Sequence, residues 1–128
     1  MKIEHLAIWV TNLERTRSFY ERYFGAIAGV KYHNPTKNFS SYFLTFKEGA
    51  RLELMQKPTI PTLANGAQEH IGISHFAVAV GSKKKVDALT EELRADGYLV
   101  VGEPRTTGDG YYESVVLDPE QNRIEITI

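Results

Sequence analysis

An internal repeat constrains the fold of this chain more than any other feature of its sequence. Residues 5–10 read His-Leu-Ala-Ile-Trp-Val and residues 75–80 read His-Phe-Ala-Val-Ala-Val, so both fit His-x-Ala-(Ile/Val)-x-Val at an offset of 70. Residues 51–54 read Arg-Leu-Glu-Leu and residues 123–126 read Arg-Ile-Glu-Ile, at an offset of 72. Two matches in the same order and at nearly the same offset indicate two copies of one module.

Each copy has the pattern strand, helix, strand, strand, strand. Thr11 and Glu14 have the spacing of a capping box, which predicts that the first helix begins just after Thr11. This helix ends at Gly25. The second follows Ser82 and ends at Gly97. The later predicted strands cover 28–32, 39–47 and 50–56 in the first copy, and 98–103, 111–117 and 122–128 in the second. The predicted fold class is therefore α+β, with two βαβββ modules.

The join between the modules reads as a loop, because it carries Pro58, Pro61 and Gly66. A module of this size is too small to be comfortably stable alone. We therefore expect residues 1–128 to form a single domain. Its parts are module 1 at about 1–56, a linker at about 57–72 and module 2 at about 73–128.

Composition excludes several classes of function. The chain has no cysteine, which rules out disulfides, thiolate metal sites and a cysteine nucleophile. Its formal net charge of −1 lacks the basic excess of nucleic-acid-binding proteins. No stretch approaches the length of a membrane span, and the first residues lack the apolar run of a signal peptide. We expect a cytoplasmic protein without nucleic-acid or membrane partners.

Strand alternation separates the polar residues of the repeat from its aliphatic residues. One face of the first and last strands of each copy is aliphatic and should pack on the helix of that module. It comprises Leu6, Ile8, Val10, Leu52 and Leu54 in the first copy, and Phe76, Val78, Val80, Ile124 and Ile126 in the second. The opposite face carries one histidine and one glutamate beside small alanines, which leave room for a concave site.

These polar residues form a candidate metal site. If the two copies face each other, His5, Glu53, His75 and Glu125 converge. Imidazole and carboxylate groups are usual ligands of divalent zinc, nickel, cobalt, manganese or iron, and two carboxylates offset the charge of the ion. Taken singly, each residue is more often structural or solvent-facing. Taken as two matched pairs on matched faces, the four favour a shared ion.

Four other polar residues are interpreted as lying outside the metal site. His33 and His70 occur in loop-like sequence without repeat partners and are expected at the surface. Arg51 and Arg123 each precede a glutamate by two residues, apparently on the same face. We interpret them as members of structural ion pairs, with substrate contact as the alternative.

At these residues the chain resembles the vicinal oxygen chelate superfamily, which groups glyoxalase I, bleomycin- and fosfomycin-resistance proteins, epimerases and extradiol dioxygenases. The resemblance covers essentially the whole chain. It is carried by residues 5–10, Phe19-Tyr20, Phe24-Gly25, residues 52–54, residues 75–78, the Leu117-to-Asn122 turn and Ile124-Glu125. It implies paired βαβββ modules that form a cup-shaped mixed sheet around one divalent ion. It also implies a homodimer and a small-molecule substrate.

The ligand order resembles bacterial glyoxalase I most closely, since both read His, Glu, His, Glu, here at His5, Glu53, His75 and Glu125. The resemblance implies a metal-dependent lyase or isomerase that uses nickel, zinc, cobalt or manganese. It would remove a proton next to a metal-bound oxygen of a hemithioacetal or α-hydroxycarbonyl compound. The family places the catalytic base on the last strand, which makes Glu125 the expected base and Glu53 the alternative.

Two positions depart from the glutathione-binding pattern of glyoxalase I. Trp9 stands where that family has an arginine, and Lys57 stands where it has an asparagine. The residues therefore support the metal chemistry better than glutathione recognition.

Three other functions stay open at this stage. A CoA-thioester epimerase would usually carry glutamine in place of Glu53. An Fe(II) extradiol dioxygenase would need only His5, His75 and Glu125. A drug- or antibiotic-binding protein would need no metal ligands, so the presence of four argues against it.

Overall fold

The chain divides into two compact units, Met1–Leu63 and Ala64–Ile128. The computed structural model describes residues 1–62 and 71–128. The predicted linker at about 57–72 falls partly outside the described residues, and so does the predicted surface position of His70. The division lies within the predicted linker. The grouping of both modules into one domain stays a prediction.

The described part of Met1–Leu63 contains one helix and one sheet. Its elements are β1 (His5–Trp9), α1 (Leu13–Phe24), β2 (Ile27–Ala28), β3 (Tyr32–Asn34), β4 (Phe39–Thr45) and β5 (Arg51–Gln56). The sheet has the order β1-β5-β4-β2, and β3 also pairs with β4. The first and last strands, β1 and β5, are parallel neighbours, whereas β4 pairs with β5 in the antiparallel sense.

The described part of Ala64–Ile128 repeats this arrangement. Its elements are β6 (Phe76–Ala79), α2 (Lys83–Ala95), β7 (Val100–Thr106), β8 (Tyr112–Leu117) and β9 (Arg123–Thr127). The sheet order is β6-β9-β8-β7. Again the first and last strands, β6 and β9, are parallel neighbours, and β8 pairs with β9 in the antiparallel sense. The mixed α+β class with two βαβββ modules is confirmed.

The helix ends follow local chemistry, with one correction to the prediction. The Asn12 side chain, and not that of Thr11, caps α1 by accepting a hydrogen bond from the Arg15 amide at 3.0 Å. The capping box predicted from Thr11 and Glu14 is therefore wrong by one residue. The chain leaves α1 at Gly25 in the left-handed conformation, with φ of 62°, which glycine adopts without steric cost.

The second helix begins as predicted. Ser82 is its N-cap, and the Ser82 hydroxyl accepts a hydrogen bond from the Lys85 amide at 3.3 Å. The last helical residue is Ala95, two residues before Gly97, whose φ of 88° again needs glycine.

Each unit buries the predicted aliphatic face of its closing strand against its own helix. In the first unit Leu52 and Leu54 of β5 are buried, as are Leu13 and Tyr20 of α1. In the second the buried set is Ile124 and Ile126 of β9 with Val86 and Leu93 of α2. Full burial of one such side chain contributes about 1.5–3 kcal/mol. The polar face of each closing strand is thereby fixed on the side away from the helix.

One predicted strand, 28–32, is two short strands in the structure. Ala28 of β2 pairs with Leu44, and Tyr32 of β3 pairs with Ser41. Three residues on one side therefore oppose two on the other, which interrupts the ladder as a β-bulge does. Hydrophobic alternation in the sequence predicts which residues share a face of a strand, but it does not predict an inserted residue of this kind.

Among the described residues, neither helix is long and apolar enough to span a bilayer.

The position of the α1 cap is tested by Asn12→Ala and the matched control Thr11→Ala. We expect Asn12→Ala to lower the free energy of unfolding by about 1 kcal/mol, because the Arg15 amide loses its acceptor. Thr11→Ala should cost no more than about 0.5 kcal/mol. Urea unfolding of the three proteins measures both. A larger loss for Thr11→Ala than for Asn12→Ala would contradict the assignment.

Candidate metal centre

The parallel pairing of first and last strands positions the histidine and glutamate of each unit. In the first unit Ala7 of β1 lies directly opposite Glu53 of β5. His5 is two residues from Ala7 and therefore shares its face of the sheet. Because Ala7 has only a methyl side chain, the Glu53 carboxylate can turn towards His5. The Nε2 atom of His5 lies 3.9 Å from the Oε2 atom of Glu53.

The second unit has the same arrangement. Ala77 of β6 lies directly opposite Glu125 of β9. The Nε2 atom of His75 lies 3.2 Å from the Oε2 atom of Glu125. Each predicted His–Glu pair is therefore brought together within its own unit. The convergence of the two pairs on one ion stays a prediction.

The remaining ring nitrogen of each histidine is held by the preceding residue. Nδ1 of His5 contacts the Glu4 carboxylate, and Nδ1 of His75 contacts the Ser74 hydroxyl at 3.3 Å. In both units Nε2 is therefore the nitrogen that faces the glutamate. A carboxylate or hydroxyl on the second ring nitrogen is the usual arrangement behind a metal-binding histidine, since it fixes the ring orientation. His5 and Arg51 together hold the pKa of Glu4 below its ordinary value.

The donor atoms fit a divalent transition metal. Ligand bonds of about 2.0–2.2 Å place neighbouring donors on one ion about 3.0–3.5 Å apart. The His75–Glu125 separation of 3.2 Å falls in this range. The His5–Glu53 separation of 3.9 Å reaches it after a small rotation of the carboxylate. Within residues 1–62 and 71–128, no group of three or more histidine, aspartate or glutamate side chains has metal-binding geometry.

A buried turn anchors the strand that carries Glu125. Asp118 is 1% exposed, and its Oδ1 atom accepts hydrogen bonds from the amides of Glu120 and Asn122 at 2.9 and 2.8 Å. Its Oδ2 atom accepts a third from the Asn122 side chain at 2.9 Å. The Asp-Pro turn identified in the sequence therefore fixes the point where β9 begins.

Sequence reasoning missed Glu113 of β8, which makes the second pair different from the first. The carboxyl group of Glu113 is close enough to that of Glu125 for its negative charge to act on it. Their side chains are only 13% and 17% exposed. Burial, and then the negative charge of Glu113, raise the pKa of Glu125 above its ordinary value, although His75 acts in the opposite direction. In the antiparallel pairing of β8 and β9, Val115 lies opposite Glu125. Glu113 is two residues from Val115, so strand alternation places it on the same face as Glu125.

The first unit has no carboxylate at the matching position of its β4 strand, where the repeat offset of 72 places Ser41. Phe43, which lies directly opposite Glu53, forms a T-shaped pair with the His5 ring, with centroids 5.3 Å apart. The Arg51 guanidinium lies 4.1 Å from the centre of the Phe43 ring and forms an ion pair with Glu4. The interpretation of Arg51 as a member of a structural ion pair is confirmed.

Two other predictions have different outcomes. His33 is exposed on β3, as expected for a surface residue, and its Nδ1 atom contacts the Ser40 hydroxyl at 2.9 Å. Arg123 lies on β9 with its Nε atom buried, and it makes interactions within the described part of the chain. The interpretation of Arg123 as a member of a structural ion pair stays a prediction.

The arrangement agrees with the comparison against protein families. The model of the glyoxalase/bleomycin resistance protein/dioxygenase superfamily matches residues 2–126. The chain belongs to this superfamily. An uncharacterized protein of Bacillus subtilis (strain 168), YqjT, is 27% identical over 127 residues, which cover 97% of this chain and 96% of that protein.

Solved structures of superfamily members share the fold. Glyoxalase I from Zea mays superposes with a TM-score of 0.77 at 23% identity, over 98% of this chain and 44% of the maize protein. This chain thus spans less than half of the maize protein. The trypanothione-dependent glyoxalase I of Leishmania major superposes with a TM-score of 0.78 at 22% identity, over 99% of this chain and 86% of that chain. At these identities the likeness shows the fold alone.

The Glu113–Glu125 contact predicts that Glu113→Gln stabilises the metal-free protein. Because the folded-state pKa of Glu125 lies above its ordinary value of 4.5, the stability that depends on this shift is present at acid pH and lost as the pH rises. Removing the negative charge of Glu113 should restore part of this stability near neutral pH, while burial, the larger cause of the shift, persists.

Urea unfolding in the presence of a chelator measures this effect at pH 4 and pH 7. We expect the free energy of unfolding of the variant to exceed that of the wild type at pH 7, and this difference to be smaller at pH 4. Loss of the Arg105 contact at 3.7 Å should offset little of the gain, since that arginine is largely exposed. A variant that is less stable than the wild type at pH 7 would contradict the description of the pair.

Proposed function

We propose that this chain is a metal-dependent lyase or isomerase of the glyoxalase I type. In this proposal His5, Glu53, His75 and Glu125 together bind one divalent ion. The observation that carries it is the repetition of one local geometry in two units. Each unit has an alanine opposite the glutamate and directs a histidine Nε2 atom towards the carboxylate, 3.9 and 3.2 Å away. A repeated structural histidine would not need this orientation.

The donor set limits the chemistry. Nitrogen and oxygen donors without thiolate suit nickel, zinc, cobalt or manganese, and iron as well. When bound, such an ion would supply Lewis acidity towards a small molecule with two neighbouring oxygen atoms. The reaction in this proposal is an isomerisation of a hemithioacetal or an α-hydroxycarbonyl compound. For a hemithioacetal, the product is a 2-hydroxy thioester, with no net change of oxidation state.

Glu125 is the proposed base in this reaction. Its carboxylate would accept the proton from the carbon that bears the hydroxyl group and return it to the neighbouring carbonyl carbon. The hydroxyl proton moves to the other oxygen, so that atoms and charge balance. Glu53 is the alternative, because it occupies the matching position in the first unit. Removal of a proton by a positioned carboxylate is worth about 10²–10⁴-fold in rate.

The two units offer Glu125 and Glu53 different surroundings. Glu125 lies near a second carboxylate, that of Glu113, whereas Glu53 lies opposite Phe43, on whose ring the Arg51 guanidinium stacks. The two glutamates are therefore chemically distinct despite the repeat, and one of them can specialise as base while both bind the ion.

The proposal also includes features that follow only from the resemblance. These are a homodimer and a cup in which the two His–Glu pairs meet. The cytoplasmic location, which is also part of the proposal, is an expectation from the sequence. Size-exclusion chromatography with light scattering tests the dimer separately from activity.

Reconstitution tests the proposed reaction class. The metal-free protein would receive nickel, zinc, cobalt, manganese or iron(II), and each form would be assayed with the hemithioacetal of methylglyoxal and a thiol. We expect thioester formation with at least one of the first four ions.

Activity only with iron(II), with consumption of oxygen and a catechol, would replace the proposal by a ring-cleaving dioxygenase. Proton exchange or epimerisation at the α-carbon of a CoA thioester, without thioester formation from any hemithioacetal, would assign an epimerase. No turnover with any of these substrates, together with tight retention of a drug-like ligand, would assign a binding protein.

The assignment of the base is tested by Glu125→Gln and the matched variant Glu53→Gln. We expect Glu125→Gln to lower kcat by at least about 100-fold, because the amide cannot accept the proton. Metal binding should weaken and remain measurable, since the amide oxygen of glutamine is still a donor, whereas an alanine in place of a histidine is not. Assays at saturating metal separate the two effects. Full activity in Glu125→Gln, with a large loss in Glu53→Gln, would exchange the two roles.

A further inference from the structure

Three aromatic side chains form a cluster on the sheet of the first unit. This aromatic cluster consists of Trp9 on β1, Tyr32 on β3 and Phe39 on β4. The ring centroids of Trp9 and Phe39 lie 6.1 Å apart at an interplanar angle of 85°, which is an edge-to-face pair. Those of Tyr32 and Phe39 lie 6.0 Å apart at 57°. Both distances fall in the range of favourable aromatic pairs.

The aromatic cluster lies on the same face of the sheet as His5 and Glu53. Trp9 is four residues after His5 on β1, and residues separated by an even number share a face. The register supports this, since Trp9 pairs with Met55, two residues beyond Glu53. On β4, Phe39 is four residues from Phe43, which lies directly opposite Glu53.

The strand geometry also sets the distance between the cluster and the metal-binding pair. Trp9 follows Ala7, the residue opposite Glu53, by two positions. At about 3.3 Å per residue this places the cluster roughly 7 Å along the sheet from the Glu53 position. A medium-sized molecule can therefore touch both places at once.

The two outer members of the cluster are unusually exposed for large aromatic residues. Trp9 is 43% exposed and Tyr32 is 53% exposed. Single exposed apolar residues are ordinary, but contiguous ones beside polar ligand-type residues mark binding surfaces. The cation on this face, Arg51, is already paired with Glu4 and stacked on Phe43, so it is poorly placed to hold an anionic group.

We propose that the aromatic cluster binds an aromatic ring on the arm of the substrate that is remote from the reacting carbons. This inference rests on the proposed function for its choice of occupant, because the same molecule would present its two oxygens beside His5 and Glu53. Edge-to-face stacking and the burial of one ring correspond to a gain of roughly tenfold or more in affinity over an otherwise identical compound without the ring.

The test uses Trp9 as its own reporter, because it is the single tryptophan of the chain. The metal-loaded full chain is titrated with S-benzylcysteine and, as the matched ligand, with S-methylcysteine, which has the same charges and no ring. We expect a saturable change of Trp9 emission, with a Kd for S-benzylcysteine at least roughly tenfold lower than that for S-methylcysteine. Equal Kd values would overturn the inference.

Two variants on one strand localise the effect. Tyr32→Ala removes one member of the cluster, whereas His33→Ala changes the next residue, which points to the other face of β3 and contacts Ser40. We expect the preference for S-benzylcysteine to fall several-fold in Tyr32→Ala and to persist in His33→Ala. A preference that is unchanged in Tyr32→Ala, or that falls equally in both variants, would overturn the inference.

Turnover separates this inference from the proposed function. The hemithioacetals of methylglyoxal with benzyl mercaptan and with 2-mercaptoethanol have the same reacting end. Turnover of both with equal kcat/KM would refute the aromatic site and leave the lyase intact. Selective binding of S-benzylcysteine without turnover of either would refute the lyase and leave the aromatic site intact. Trp9 emission that follows protein concentration and ignores both ligands would assign the cluster to contact with a second copy of the chain, which also overturns the inference.

Discussion

The parallel pairing of the first and last strand of each module is the constraint on which the rest of the structure depends. It sets Ala7 opposite Glu53 and Ala77 opposite Glu125, so that a histidine two residues earlier can meet each carboxylate. Because side chains alternate along a strand, the same pairing assigns the leucines or isoleucines around each glutamate to the helix side. The same strand pairing therefore determines both the packing of the core and the orientation of the polar pair. A slip of one residue in either strand would bury the glutamate and expose the core.

The repeat predicts most of this arrangement because strand alternation and helix-end residues can both be identified within short stretches of sequence. Alternation around Glu53 and Glu125 identifies the faces, and glycine and serine identify the helix ends at Gly25 and Ser82. The first cap was misplaced, since Thr11 and Asn12 are both good caps and only the backbone geometry separates them. The bulge between Ala28 and Tyr32 was not predicted, because one inserted residue leaves little trace in hydrophobic alternation.

The site was predicted less completely than the fold, because contacts across strands depend on register. Glu113 was missed, although its position opposite Thr127 on the antiparallel neighbour of β9 brings it to Glu125. The contacts that orient the histidines, from Glu4 and Ser74, involve residues just before the repeated motif. Comparison of the two motifs alone therefore could not identify them. The two copies share their histidine and glutamate and differ in the residues that surround them.

In the proposed function, this difference would give the two halves of the site separate tasks. The second pair lies beside an additional carboxylate, whereas the first lies beside Phe43 and, farther along the same face, the aromatic cluster. A division in which one half moves the proton and the other holds the remote arm of the substrate is consistent with these surroundings. In the proposed function, both tasks would depend on one ion bound by residues of both halves.

The metal content of the purified protein tests this shared ion most directly. Elemental analysis of the wild type, His5→Ala, His75→Ala and the control His33→Ala would give the number of divalent ions per chain. The account predicts one ion per chain in the wild type and in His33→Ala, and its loss in both of the other variants. Absence of any ion after incubation with nickel, zinc, cobalt, manganese or iron would contradict it, and so would full metal content in either His5→Ala or His75→Ala.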